Sequence, residues 1–308
     1  MPAGEKVEWR RPMYGWREHF GAAPSGWHGA DMRWVPHYNV TADTRGPLVV
    51  TVHDVLPLVM RDGWRGRVRG WVAERYFKRV ADRAEKVLCP SQFSANGVVS
   101  SAGMERRRVR VTPLGVGEDF TQTETGRRER IWLYVGNVKP HKGLAALLAA
   151  MARSDANGHR LVIVGRREGF FTTAPELEQM AAILGGRVEW AGEVDELALR
   201  DWYARAEALV LPSTHEGFGL PVLEAMAAGC PVVAARAGAL PEVAGEAALW
   251  FEAGDVEGLA RKLSALANDG ALRERLAGAG RRRAEMFTWG RTAELTAAAL
   301  RETWEDAQ

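Results

Sequence analysis

The sequence predicts an α/β protein with two doubly wound, Rossmann-like parallel-sheet domains, on three observations. From residue 131 onward, short apolar runs alternate with segments of helical period, the order that a parallel sheet with crossover helices requires. The runs IWLYV, LVIVG and ALVLP are apolar throughout instead of alternating, as strands covered on both faces are. The chain of 308 residues is longer than one core ordinarily serves and suits two domains.

Taken in order, strands are expected at 6–11, 32–36, 47–52, 86–89 and 108–112, with helices near 65–85 and 91–102. This first part, residues 1–118, reads as a smaller α/β domain. The stretch PLGVGEDFTQTETGRRER, residues 113 to 130, is rich in Gly, Thr and charge and has no apolar period, so a linker is expected, its core at 119–130. The second domain, residues 131–288, continues as IWLYV and helix 143–153, LVIVG and helix 174–184, and RVEW and helix 195–204. ALVLP, helix 221–229 and PVVAA follow. Gly136, Gly165 and Gly192 each end a strand, where ligands of such sheets gather. Residues 289–308 read as a helix with Ala293, Leu295, Ala298, Leu300 and Trp304 as apolar positions, expected to pack back towards the N-terminal domain.

Apolar residues make up 46% and charged residues 26%, a globular composition, and no apolar run approaches the roughly 18 residues of a membrane span. The start, with Pro2, Gly4, Glu5 and Lys6, lacks a secretory signal, so a cytoplasmic location is expected. Cys89 and Cys230 are expected to be buried and reduced. The net charge of +2 hides an asymmetry: residues 1–126 hold 19 Lys or Arg against 14 acids, the remainder 22 against 25. Segment 61–80 holds seven of those basic residues, with Trp64 and Trp71 seven apart. It suits peripheral contact with anionic lipid at the inner membrane face, a basic helix whose tryptophans pack on the core, or a surface for a homo-oligomer or partner chain. A near-zero net charge and no recognisable module argue against nucleic acid.

The stretch ALVLPSTHEGFGLPVLEAMAAGCPVVAA reads as strand, tight turn, helix and strand of one βαβ unit. Gly217 and Gly219 permit the turn, Pro221 suits the first helical position, and Gly229 closes the helix. The amides of Phe218, Gly219 and Leu220 are then left at a helix N-terminus carrying roughly half a positive charge, a place for phosphate or sugar hydroxyls. Glu216 in the turn and Glu224 in the first helical turn are expected to point into one cleft, as acceptors for sugar hydroxyls.

The run S-x-x-E-G-F-G-L-P-x-L-E-A-M-A-x-G-x-P-V-V resembles the E-x7-E signature of glycosyltransferase family 4, the group 1 retaining enzymes of the GT-B fold. YVGNVKPHKGLAALLAA resembles its G-x-x-x-P-x-K segment, and LVVTVHDVLPL its N-terminal strand ending in His-Asp. The resemblance implies two Rossmann-like domains facing a cleft and a nucleotide diphosphate sugar, GDP- or UDP-linked, as donor, with no cofactor. It implies that Lys142 neutralises the diphosphate, Glu216 holds the transferred sugar, and Glu224 takes the ribose hydroxyls. The amides of Phe218, Gly219 and Leu220 would hold phosphate and sugar, with Gly136 and Asn137 lining the donor side and His53 facing the acceptor, a glycan, lipid-linked or small molecule. Ser91, in CPSQFSANGV, and Gly115, in VTPLGVGEDF, are weaker candidates, Ser91 also reading as a helix N-cap.

Two departures stand out. Asn137 occupies a position where many members have arginine, so Lys139 or Arg166 would have to supply a second cation. The chain also begins about two strands later than family members do, and MPAGEKVEWRRPMYGW supplies no glycine-rich loop. The first domain is therefore expected to be naturally trimmed, completed by another chain or truncated. No Asp-x-Asp pair or His and Cys cluster offers a metal site, so a metal-independent hexosyltransferase is expected. The alternatives are a non-catalytic nucleotide-sugar-binding subunit supporting a partner transferase, or another chemistry on the same fold.

Overall fold

The computed structural model describes residues 30–40, 46–59, 63–123, 126, 128–156, 158–166 and 175–308. The strand expected at 6–11 and the segment MPAGEKVEWRRPMYGW lie outside the described residues. The chain divides into two units, Met1–Pro113 with Arg291–Gln308, and Leu114–Gly290.

In the first unit, β1 (Arg33–Val35), β2 (Leu48–Thr51), β3 (Lys86–Cys89) and β4 (Val109–Val111) form a parallel sheet in that order. α1 (Gly63–Arg83) and α2 (Gln92–Ala102) pack on it through Tyr76, Phe77, Val80, Ala95 and Val98. Ser91 starts α2 as its N-cap, accepting a 3.0 Å bond from the Ser94 amide. Cys89 is buried and free, and burial pushes its thiol up to about 12. Trp71 of α1 is 58% exposed with the Arg75 guanidinium over its ring, so it does not pack on the core; the Trp64 side chain lies outside the described residues. Among the described residues no helix is long and apolar enough to cross a membrane.

The second unit carries a parallel six-stranded sheet in the order β10-β9-β8-β5-β6-β7. Its strands are β5 (Glu129–Val135), β6 (Arg160–Val164), β7 (Val188–Gly192), β8 (Ala206–Leu211), β9 (Val232–Ala235) and β10 (Leu249–Phe251). α3 (Leu144–Arg153), α4 (Pro175–Ile183) and α7 (Val256–Asn268) cover one face. α5 (Glu196–Arg205) and α6 (Leu220–Ala227) cover the other, with α8 (Gly270–Ala284) contributing Ala279 and Ala284. Adjacent residues of β5 divide between the two cores, Ile131 and Leu133 to one, Trp132 and Tyr134 to the other, which is why the run is apolar without alternation. Cys230 is buried and free, its thiol pushed up to about 11 by burial.

Two expectations need correction. The segment expected as a linker belongs to the second unit: Val116 and Phe120 are buried in its core, and β5 begins at Glu129. Two apolar side chains in a polar stretch are enough to dock it, although they make no period. On α9 (Trp289–Asp306), Ala293 and Ala298 are exposed. The helix does pack back on the first unit, as expected, but through Thr292, Leu295, Ala299, Leu300 and Thr303: Ala299 and Leu300 meet Val49 and Leu88, and Thr292 Oγ1 donates to Pro113 O at 2.7 Å. Lys86, buried on β3, and Arg110 both reach Glu302 of α9, at 2.8 and 2.7 Å.

Candidate functional site

In the second sheet, chain order runs outward from β5 through β6 and β7, then resumes at β8 and runs the other way through β9 and β10. The switch point therefore lies between the carboxyl ends of β5 and β8, where the connections part and leave a crevice for ligands. The turn after β5 carries Lys142; the turn after β8 carries Glu216. The structure brings them together, Lys142 Nζ lying 2.7 Å from Glu216 Oε1, with side chains 22% and 10% exposed.

Local backbone geometry sets this pair. Pro140–Lys142 form a single 3-10 turn that Gly143 ends at φ 72°, a left-handed conformation natural to glycine. A Cβ at Gly143 would lie 2.2 Å from Pro212 O, so the two turns touch backbone to backbone. The Thr214 amide donates to His141 O at 2.8 Å, a second tie between them. Glu216 is held from its other side: the Ala239 amide donates to its carbonyl at 2.9 Å, and a Cβ at Gly238 would lie 2.5 Å from that oxygen.

The electrostatics follow from burial. His141 is held down to about 4, mainly by burial and then by Lys142 and Lys139, so its imidazole is neutral at pH 7. The Tyr134 hydroxyl is pushed well above its ordinary range by burial and by the Glu216 charge.

Beyond Glu216 the chain enters α6. Gly219 is its N-cap at φ 106°, Leu220 its first residue and Pro221 its second. Among the described residues, the amides of Phe218 and Gly219 donate to no backbone carbonyl, and Leu220 starts the helix, where no intrahelical acceptor exists. The helix ends at Gly229 (φ 69°), with the Gly229 amide on Met226 O and the Cys230 amide on Ala225 O.

Glu224 departs from expectation. It is the fifth residue of α6, not in its first turn, and it does not join the Lys142–Glu216 pair: its Oε2 accepts a 2.9 Å bond from the hydroxyl of buried Tyr203 on α5. Burial pushes its carboxyl up, with the Tyr203 bond opposing. Tyr203 is the residue that sequence reasoning missed, because nothing in WYARAEALVL distinguishes a core tyrosine from one whose hydroxyl has a partner.

Gly136 and Asn137 lie where β5 opens into the Lys142 turn. A Cβ at Gly165 would lie 2.3 Å from Gly136 O, so the loops after β5 and β6 run in backbone contact. Asn137 Oδ1 accepts from the Arg166 amide at 3.2 Å and joins those loops. Arg166 sends its guanidinium to Glu193 at 2.6 Å, an exposed pair, so its charge is already engaged. His53, in the first unit, is exposed beyond β2 with Nε2 3.1 Å from Pro36 O. Gly115 permits a close backbone approach, since a Cβ there would lie 2.1 Å from the Trp289 amide nitrogen.

A parallel sheet with a cation–carboxylate pair at its switch point and a glycine-capped helix beside it defines a Rossmann-like fold, a class whose ligands gather at the sheet's carboxyl edge. The family model for group 1 glycosyl transferases matches residues 129–269, and that for glycosyltransferase family 4 matches residues 22–120. The chain belongs to these group 1, family 4 glycosyltransferases and has their GT-B fold. It is 35% identical over 268 residues to the MMP α-(1→4)-mannosyltransferase of Mycolicibacterium hassiacum, covering 82% of this chain and 64% of that protein. It is 33% identical to a D-inositol 3-phosphate glycosyltransferase of Streptomyces avermitilis, covering 71% and 52%. The chain thus spans between half and two thirds of the length of these curated relatives. Among solved structures, sucrose-phosphate synthase from Thermosynechococcus elongatus superposes with TM-score 0.73 at 24% identity, covering 86% of this chain and 69% of that one. Anabaena Alr3699/HepE in complex with UDP and glucose gives 0.72 at 22%, covering 83% and 72%.

Proposed function

We propose that the chain transfers a glycosyl group from a GDP- or UDP-linked sugar to a glycan, lipid-linked or small-molecule acceptor, with retention of anomeric configuration and without a metal. The observation that carries this reading is the Lys142–Glu216 pair at the switch point. As the glycosidic bond to phosphate breaks, charge separates: the sugar becomes oxocarbenium-like and the diphosphate gains negative charge. The Lys142 ammonium and the α6 N-terminal amides of Phe218, Gly219 and Leu220 stabilise that leaving group. Glu216 orients Lys142 and accepts hydroxyls of the transferred sugar, and Glu224 accepts those of the ribose. Gly136 lets the donor approach the backbone, Asn137 fixes that loop, and His53 serves the acceptor side. Retention is the outcome that family membership supports. The relatives' names, mannosyltransferase and D-inositol 3-phosphate glycosyltransferase, support a glycosyl donor, and the UDP complex of a protein of the same fold supports a nucleotide.

The test is a thermal-shift panel of GDP, UDP and their sugar conjugates, with and without EDTA. A ligand at about a hundred times its Kd adds about 2.7 kcal/mol of stability. Stabilisation by one nucleotide series, unaffected by EDTA and lost in Lys142→Ala, supports the reading. A flat response to every nucleotide sinks it, and a response that EDTA abolishes and magnesium restores sinks its metal-free part.

A further inference from the structure

α6, of sequence LPVLEAMA, is apolar except at Glu224, and Val222, Leu223, Ala225 and Met226 are fully buried. Glu224 is itself only half-buried, so its carboxylate is partly desolvated and gains from a hydrogen bond. Among the described residues its partner is the Tyr203 hydroxyl on Oε2, and Oε1 has none. Tyr203 is itself fully buried, edge-on to Phe120 at 6.1 Å between ring centroids. Phenylalanine would fill that space equally well, so packing does not account for the hydroxyl.

The two helices that carry this pair are also joined at their ends. Arg128 Nη1 donates to the carbonyls of Tyr203, Ala204 and Ala206 at 3.2, 3.3 and 2.6 Å, and Nη2 to Gly229 O at 2.5 Å. One guanidinium thus ties the carboxyl end of α5 to that of α6, where a cation also complements the helix dipoles.

We propose that Tyr203 is a positioning residue of the donor site: its hydroxyl fixes one oxygen of Glu224 and leaves the other to accept a nucleoside hydroxyl, with Arg128 holding the two helices in register. This rests on the reading of Glu224 given above. The charged groups acting on Glu224 are consistent with it. Burial and Glu196, on the same helix as Tyr203, favour the protonated acid, and the Tyr203 bond favours the carboxylate.

Calorimetric titration of GDP and UDP into the wild type, Y203F, E224Q and the double variant, from mildly acidic to mildly alkaline pH, tests this. Y203F is expected to bind roughly tenfold more weakly, as loss of a hydrogen bond to a charged group implies, and to lose binding at a higher pH than the wild type. In the E224Q background Y203F is expected to change affinity by less than about twofold, because the two act as one unit. Wild-type affinity and pH profile in Y203F overturn the proposal, as does an equal loss in both backgrounds. Should Y203F not fold, R128K keeps the charge but not the fork; weakened nucleotide binding in that folded variant supports the frame, and unchanged binding overturns it. Failure of the wild type to bind either nucleotide removes the donor-site reading itself, and this proposal with it.

Discussion

Replacing Lys142 by methionine keeps the length of the stem and deletes the ammonium, which isolates the contribution of the central ion pair. At 2.7 Å the Coulomb attraction is about 6 kcal/mol for an effective dielectric constant near 20, before the solvation of the separated charges returns most of it. Side-chain exposures of 22% and 10% place the pair between exposed bridges, worth about 0–1 kcal/mol, and buried ones, whose breaking costs about 3–5 kcal/mol. A coupling of about 2 kcal/mol follows. Urea unfolding of the wild type, Lys142→Met, Glu216→Gln and the double variant, read on the transition of the second unit, measures it. Each single variant strands a partner, so the double variant is expected to lose about 2 kcal/mol less than the sum of the singles. A coupling below about 0.5 kcal/mol would refute the argument that the pair is built into the fold of the crevice.

Gly143→Ala should be among the most damaging small substitutions: a left-handed backbone costs about 1–2 kcal/mol, and the added carbon meets the Pro212 carbonyl, which no rotamer relieves. A total near 3 kcal/mol corresponds to a fall of roughly 6–12 °C in Tm for a unit of this size, and calorimetry showing a fall under about 3 °C would contradict the backbone contact. His141 makes the acid limb of stability steeper. Its folded pKa of about 4 lies below the unfolded value of 6.5, so the unfolded chain takes up the proton first; the stability this contributes is full above about pH 6.5 and is lost as pH falls towards 4. His141→Gln should lose less Tm between neutral pH and about 4.5 than the wild type, and equal losses would remove His141 as the cause.

The second unit was largely legible because strongly periodic elements carry their own signal. The runs at β5, β6 and β8 and the Pro221 and Gly229 marks of α6 place the observed elements within a few residues. The Lys142–Glu216 juxtaposition was reached only through resemblance, since no local pattern relates residues so far apart in sequence. The linker, and the placing of Ala293 and Ala298 on the covered face of the last helix, were misread for one reason: burial of Val116, Phe120, Ala299 and Thr303 depends on what lies beside them.

By itself, the chain's order of apolar runs, glycines and prolines determined an α/β protein with parallel sheets and a glycine-capped helix with one acid in the turn before it and one on it. These features depend on interactions between near neighbours in sequence, which composition and period record. Tertiary structure alone decided that β8 pairs with β5, which seats Lys142 against Glu216, and that Glu224 takes the Tyr203 hydroxyl. Strand order and the partner of a half-buried carboxylate are settled by which surfaces exclude water together, a property of the packed chain and not of any segment of it.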